Sequence, residues 1–535
     1  MTTLQTTIDA VPVSRRPQSA ASPAPAVSAK TWLAVIGATL GAFMAVLNIQ
    51  IVNASLADIQ GGIGAGIDDG GWISTSYLIA EIVVIPLSGW LAQVFSVRIY
   101  LLTNAFLFLV FSAACALAQD LPQMIALRAV QGFTGGVLIP MAFTLIITLL
   151  PKAKQPIGLA LFALSATFAP AIGPTIGGYL TENWGWEYIF YVNVVPGAIM
   201  IAMLYFSLDA KPTKLSLLRE GDWAGIITMA IGLSALQTVL EEGNKDDWFG
   251  SPFIVRLAVI AAVALTLFVV IELTTTKPLL NLRILFRRNF GFGVLANFLL
   301  GVALYGSVYI LPVYLSRIQG YNSEQIGMVL AWTGLPQLVL IPLVPRLMKR
   351  VDPRIVIGVG FALFAASNFM NITMNNDYAT DQLFWPNVVR AVGQALCFAP
   401  LSAVATAGIE PENAGTASGL FNMTRNLGGA IGIALIDTIL YGRTVGHGLA
   451  LRDRLIAGDV SAAQAIGLDV QLFLHPPPDV SDATVEAYVR PMVERAAFAM
   501  SVNEAWALLA LVALIALLLV PLAGKLPASE LSSRL

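Results

Sequence analysis

Charge is what this sequence has least of. Only 12% of its 535 residues are Asp, Glu, Lys or Arg, and 57% are hydrophobic. Soluble domains carry about twice that share of charge, so a water-soluble globule of any fold is excluded. The net charge is −2, which gives no footing for a nucleic-acid partner. Cysteine is nearly absent. Cys115 and Cys397 both lie in apolar stretches, so a disulfide framework is excluded and two buried free thiols are expected. Histidine is as scarce: His447 and His475 fall in one polar segment without thiols or clustered carboxylates, a weak metal signal, so a structural or solvated role is expected for both. No G-x-x-x-x-G-K-[ST], H-E-x-x-H or G-x-S-x-G occurs. A nucleotide P-loop, a zincin and a hydrolase elbow are thereby unsupported. The chain reads as a non-enzyme without cofactor.

What is present is long apolar runs. A spanning helix needs about 20 such residues. Fourteen runs qualify: Trp32–Val52, Trp72–Ala92, Ile99–Ala118, Gln123–Ile146, Ile157–Leu180, Tyr188–Leu208, Trp223–Leu240, Phe253–Leu273, Phe290–Ser316, Glu324–Leu347, Ile355–Met374, Trp385–Ala407, Ala414–Leu440 and Ser501–Ala523. The fold class is an all-α polytopic membrane protein, since a barrel would show short alternating segments. Residues 1–30, rich in Ala, Ser, Pro and Thr, read as a disordered tail. Residues 31–208 form one six-helix half. Residues 209–289 hold two extra helices with their linkers. Residues 290–523 form a second six-helix half, interrupted by a polar loop at 441–500, and 524–535 is a tail.

Basic residues set the orientation. With the N-terminus inside, inside segments hold 19 of the 30 Lys and Arg, whereas the short outside loops and span ends hold Lys245, Arg256 and Arg317. Both termini are expected in the cytoplasm. One short outer loop is acidic, with Glu241, Glu242, Asp246 and Asp247.

Two stretches repeat. Arg128-Ala129-Val130-Gln131-Gly132 opens span four, and Arg390-Ala391-Val392-Gly393-Gln394 opens span twelve; Pro140 and Pro400 follow. With spans seven and eight set aside, span four of one half matches span four of the other. A charge at mid-bilayer costs about 2.5–3.5 kcal/mol on insertion scales, so such residues are functional candidates. Glu81, Arg128, Arg390 and Arg425 are of this kind, and Asp437 lies late in span thirteen. A carboxylate in a periodically wetted apolar cavity can load and release a proton, and a nearby arginine opposes the loading. Glu81 with Arg128 is the expected proton-coupling pair; the alternative is a buried salt bridge that fixes helix register.

Span five carries Ala169-Pro170-Ala171-Ile172-Gly173-Pro174-Thr175-Ile176-Gly177-Gly178. Small residues allow close helix approach, and the prolines free backbone carbonyls. Pro170, Gly173, Pro174, Gly177 and Gly178 are therefore expected to shape a gate. Further on stands Trp184-Gly185-Trp186-Glu187-Tyr188-Ile189-Phe190-Tyr191-Val192-Asn193-Val194-Val195-Pro196.

On these residues the chain resembles the fourteen-helix drug–proton antiporters of the major facilitator superfamily, and among them the EmrB-like permeases. Arg128 with Gly132 and Gly136 resembles the family's span-four motif. Gly173-Pro174 with Gly177-Gly178 resembles its antiporter motif, with Ala169 where the first glycine is usual. The stretch from Trp184 is similar to W-x-W-x-x-x-F-x-I-N-x-P, its proline one residue late. Asp247-Trp248-Phe249 and the long outer loop also look like this branch. Two departures stand out. Asn48 occupies the place of the usual span-one aspartate and cannot carry a proton, which leaves that role to Glu81. In the loop after span two, Gly89, Leu91 and Arg98 match G-x-L-x-D-R-x-G-R-R, but Gln93, Val94, Ser96 and Val97 do not.

The resemblance implies proton-driven multidrug export by two halves rocking around a cavity, in a bacterial inner membrane. It implies a periplasmic membrane-fusion adaptor and an outer-membrane TolC-type channel as partners, with Tyr441–Met500 as an adaptor contact. Lipophilic substrates need an apolar cavity with a few polar groups. Asn48, Gln50, Tyr77, Trp332, Asn422 and Arg425 are the expected lining, with Tyr305, Tyr309 and Gln337 as further candidates. Two other readings stay open: a dedicated exporter of one metabolite, fatty acid or siderophore, and a non-transporting receptor or scaffold.

Overall fold

The computed structural model describes residues 27–66, 69–474 and 482–524. Among the described residues every regular element is helical, as hydrocarbon demands when each backbone amide must find its partner within its own segment. Most of the tail at 1–30 and nearly all of 524–535 lie outside the described residues. At Ser28 the chain is already entering its first helix: the Ser28 hydroxyl accepts from the Thr31 N–H at 3.1 Å.

The helices are α1 (Ala29–Ala54), α2 (Trp72–Phe95), α3 (Val97–Cys115), α4 (Leu121–Leu149), α5 (Gln155–Trp184), α6 (Tyr188–Ser207) and α7 (Trp223–Glu242). They continue as α8 (Pro252–Thr274), α9 (Arg288–Arg317), α10 (Glu324–Arg350), α11 (Pro353–Phe369), α12 (Thr380–Ala405), α13 (Ala414–Ile456) and α14 (Asp482–Leu519). Twelve are long and apolar enough to cross a membrane; α11 is apolar but shorter, and α13 carries charges along its 43 residues. Side-chain caps start several of them. Asp120 accepts from Gln123 N–H at 2.8 Å, and Asn322 and Gln325 form a reciprocal capping box at the start of α10. Short breaks fall where the sequence places a glycine or a proline: a turn at Val137, after Gly136, in α4 and a 3-10 turn at Ile341–Leu343, around Pro342, in α10.

The packing follows a repeat. In the first half α1 lies along α5 and α2 along α4; in the second α9 lies along α13 and α10 along α12. Two seams join the halves, α5 against α10 and α2 against α13. The extra helices α7 and α8 pack on each other, and α7 also leans on α2 and α13, across the second seam. We call the side where α1 begins and α14 ends the terminal face and the opposite side the distal face.

Glycine sets the seam spacing. Gly89 of α2 and Gly415 of α13 meet backbone to backbone, so a Cβ on Gly89 would stand 2.9 Å from Gly415. Between α2 and α3 the family pattern has a glycine where this chain has Ser96. Ser96 nevertheless adopts φ 66°, and its buried hydroxyl has no partner. That strain, of order 1–3 kcal/mol, shows the turn geometry retained without the residue that suits it.

The segment expected as a polar loop at 441–500 is mostly helical. α13 continues far past the last apolar residues of its span, Val460–Ala465 and Val470–Leu474 form short helices, and α14 begins at Asp482. Leu451, Ala463, Ile466, Leu468, Ala496 and Ala497 make a small core of their own. Polarity excluded a span here, but a helix outside the membrane needs only one apolar stripe. His475 and Pro476–Pro478 lie outside the described residues.

Candidate functional site

A cavity of about 700 Å³ opens on the distal face between the halves. Its walls come from α1 (Gln50, Asn53), α2 (Thr75, Leu78), α5 (Pro174), α9 (Tyr305, Tyr309) and α13 (Ile433, Asp437). The extra helix α7 contributes Glu241 and Glu242. The sequence placed these two in an outer loop. Instead they close the last turn of α7 and turn inward: Thr75 Oγ1 donates to Glu242 Oε1 at 2.9 Å, and Gln237 Nε2 donates to Glu241 Oε1 at 2.9 Å. On the facing wall the Tyr309 hydroxyl donates to Asp437 at 2.6 Å.

Below this cavity a narrower pocket of about 60 Å³ shares Gln50, Leu78, Glu241 and Tyr305 with it and reaches Glu81 and Asn426. Glu81 is 1% exposed. Its Oε1 accepts from Asn426 Nδ2 at 3.2 Å, a contact between α2 and α13 that bridges the halves. Glu81 makes no ion pair with Arg128. That guanidinium faces the interior of the first half. It donates to Asn48 Oδ1 at 2.8 Å, Gln131 Oε1 at 2.7 Å and the Ile73 carbonyl at 3.2 Å, and lies 4.2 Å from the Tyr77 ring centroid. Neutral amides thus hold the arginine, and Asn48 is an acceptor for it where the related pattern has a carboxylate. Arg390 repeats the arrangement in the second half, donating to Ser307 O at 3.2 Å, Thr333 Oγ1 at 2.9 Å and Asn387 Oδ1.

Arg425 is different. It is fully buried, and none of its three guanidinium nitrogens has a hydrogen-bond partner among the described residues. It lies over the rings of Phe398, at 5.3 Å, and Phe162, at 6.0 Å. These rings belong to a layer that crosses the seam: Phe143 stacks on Phe421 at 5.4 Å and meets Phe162 edge-on at 5.4 Å, and Phe162 meets Phe398 at 5.9 Å. Aromatic contacts add about 0.5–1.5 kcal/mol each beyond area burial. With the Gly89–Gly415 contact and a 2.6 Å hydrogen bond from the Ser418 hydroxyl to the Pro140 carbonyl, this layer shuts the terminal side. The structure is therefore open to the distal face.

The other expected residues divide. Gln50 lines the cavity; Pro174 lines it too, and Gly173 lies against Gln50. Gly177 abuts the Ile51 backbone, and Pro170 and Gly178 are buried in an unbroken α5. Tyr77 is buried beneath Arg128, away from the cavity. Asn422 is buried and bonded to its own helix through Ser418 O. Trp332 corrects the expected lining: it is 41% exposed on the outer side of α10 and packs edge-on against Phe384 at 4.8 Å. Arg98 lies over the Tyr205 ring at 4.7 Å, at the terminal end of α3. On that face Arg287, which donates to Glu410 at 2.7 Å, holds the Glu410 carboxyl down to about 2.

Two helical halves with matching internal packing, enclosing a cavity that opens on one face and is sealed on the other, define a membrane transporter built from two parallel repeats. The chain belongs to the Major Facilitator Superfamily, whose model matches residues 38–433. It is 36% identical over 422 residues to the colistin resistance protein EmrB of Acinetobacter baumannii, covering 78% of this chain and 82% of that one. To the multidrug export protein EmrB of Escherichia coli K12 it is 32% identical over 425 residues, covering 79% and 83%. The fold is similar to the crystal structure of the human organic anion transporter MFSD10, with a TM-score of 0.57 at 14% identity, covering 92% of this chain and 99% of that one.

Proposed function

We propose that this protein exports lipophilic or amphipathic toxic compounds in exchange for protons. Glu81 is the coupling carboxylate, and the membrane is the bacterial inner membrane with the terminal face cytoplasmic. The observation that carries this reading is the place of Glu81: a buried carboxylate on the seam, reached from the distal cavity and shut off from the terminal side. A proton entering from the distal side can reach it there. A charge held at that depth favours neutralisation, so loading the proton eases closure of the cavity around an uncharged seam. The cavity volume suits a drug-sized molecule. The names of two relatives, a colistin resistance protein and a multidrug export protein, support such cargo.

Everted vesicles test it. An acid-inside pH gradient is expected to drive accumulation of a lipophilic dye; accumulation that survives collapse of the gradient would refute proton exchange.

The partners follow the same reading: a periplasmic adaptor and a TolC-type channel. The end of α13 that extends past its span offers Tyr441, Val445 and Leu449 at four-residue spacing, 42%, 67% and 54% exposed. Such a stripe suits a partner helix. Val445→Asp combined with Leu449→Asp is expected to abolish co-purification of a co-expressed adaptor while leaving the permease in the membrane. Unchanged co-purification would remove this surface from the account.

A further inference from the structure

We propose that Arg425 is the discharge partner of Glu81: when the proton leaves, the guanidinium replaces the Asn426 amide against the carboxylate. The inference rests on the reading of Glu81 as the coupling group.

Arg425 is the one of three buried arginines in the spans whose guanidinium makes no well-formed hydrogen bond among the described residues, with only the Tyr305 hydroxyl of α9 as a polar neighbour beside it. Arg128 and Arg390 each engage three. A buried ion without a partner costs several kcal/mol, so this arrangement is stable only while something offsets it, and it is suited to a residue that pairs in another state of the cycle. The ring faces of Phe398 and Phe162 offset part of the cost.

The partner is close at hand. Asn426, the next residue of α13, already donates to Glu81 across the seam. Successive helical residues point about 100° apart, so helix rotation alone does not exchange them; a slide of α13 along α2 with a swing of the long Arg425 side chain brings the guanidinium to the carboxylate in place of the amide. The seam between these helices joins the halves that must move. The guanidiniums in the neighbourhood of Glu81 are those of Arg425 on α13 and Arg128 on α4. The other groups facing its pocket are Tyr305 of α9 and Glu241 of α7, with Tyr77 one turn away on α2.

The two states then balance. Open to the distal side, Glu81 carries a proton and Arg425 waits unpaired. Open to the terminal side, the proton passes to water on that side and the carboxylate pairs with Arg425. No covalent bond other than O–H changes.

The test is uphill dye export by reconstituted wild-type, Arg425→Lys and Arg425→Gln proteins, with the pH on the terminal side varied. Losing a neighbouring cation favours the protonated carboxyl, so release then requires higher pH. The Arg425→Gln profile is expected to move alkaline by about one pH unit or more, while Arg425→Lys stays near wild type. Where Arg425→Gln does not transport, labelling of Glu81 by a hydrophobic carbodiimide, which attacks protonated carboxyls, is expected to persist to higher pH than in wild type. A rate lowered at every pH with profile and labelling unmoved would overturn the proposal. So would a defect confined to anionic cargo, which would mark Arg425 as a substrate anion site. Either failure differs from failure of the underlying reading, in which Glu81→Gln keeps uphill export.

Discussion

Glu81→Gln is expected to reduce uphill export to background while leaving the protein folded and in the membrane. The substitution keeps the size of the side chain, and the amide oxygen still accepts from Asn426 at the present 3.2 Å contact. Packing at the seam is thus preserved. What is lost is the ability to alternate between a neutral and a charged form, the only property a proton-coupled cycle requires of this residue. Downhill exchange of labelled for unlabelled substrate is expected to continue, because it needs the cavity but no proton. Export assayed with and without a pH gradient separates the two. Undiminished uphill export by the variant would remove Glu81 from the coupling role.

Arg128→Ala is expected to be at least as damaging, through a different cause. Arg128 satisfies Asn48, Gln131 and the Ile73 carbonyl, which belong to α1, α4 and α2. Removing it leaves the buried Asn48 oxygen without a donor, at about 1–3 kcal/mol, and leaves Gln131 Oε1 only the weak Cys115 thiol at 3.6 Å, together with a void beneath the Tyr77 ring; the Ile73 carbonyl keeps the Ser76 hydroxyl at 3.4 Å. Relief of the buried charge offsets part of this. The expected result is a lower thermal midpoint and loss of both uphill export and downhill exchange. Arg128→Lys keeps the charge but cannot span three acceptors on three helices, and is expected to recover only part of the stability. Wild-type transport by Arg128→Ala would show that these helices hold their register without it.

Much of the architecture was legible in the chain because hydrocarbon imposes one rule on every segment. Fourteen apolar runs, the Arg128 and Arg390 repeat and the small-residue face of α5 all follow from it. Glu81 stood out for the same reason, as a charge where charge is costly. Its partner did not. Arg128 was the nearer arginine by family pattern, but pairing depends on which side of α4 faces α2, and the guanidinium turns toward Asn48. Asn426 lies 345 positions from Glu81, and nothing local marks an asparagine as a contact across a seam. Trp332 was misplaced because an apolar helix looks alike on its cavity and lipid sides. Glu241 and Glu242 look like loop acids in the sequence because charge clusters commonly end spans; their inward turn comes from α7 leaning on α2. The four phenylalanines of the terminal seal are hidden among 26 in the chain, and only tertiary structure selects them.

The central claim is that Glu81 carries the exchanged proton. Proton release on adding substrate to the purified, weakly buffered protein measures it most directly. Wild type is expected to release protons on binding substrate near neutral pH, and Glu81→Gln to release none while still binding. Equal release from both proteins would contradict the account.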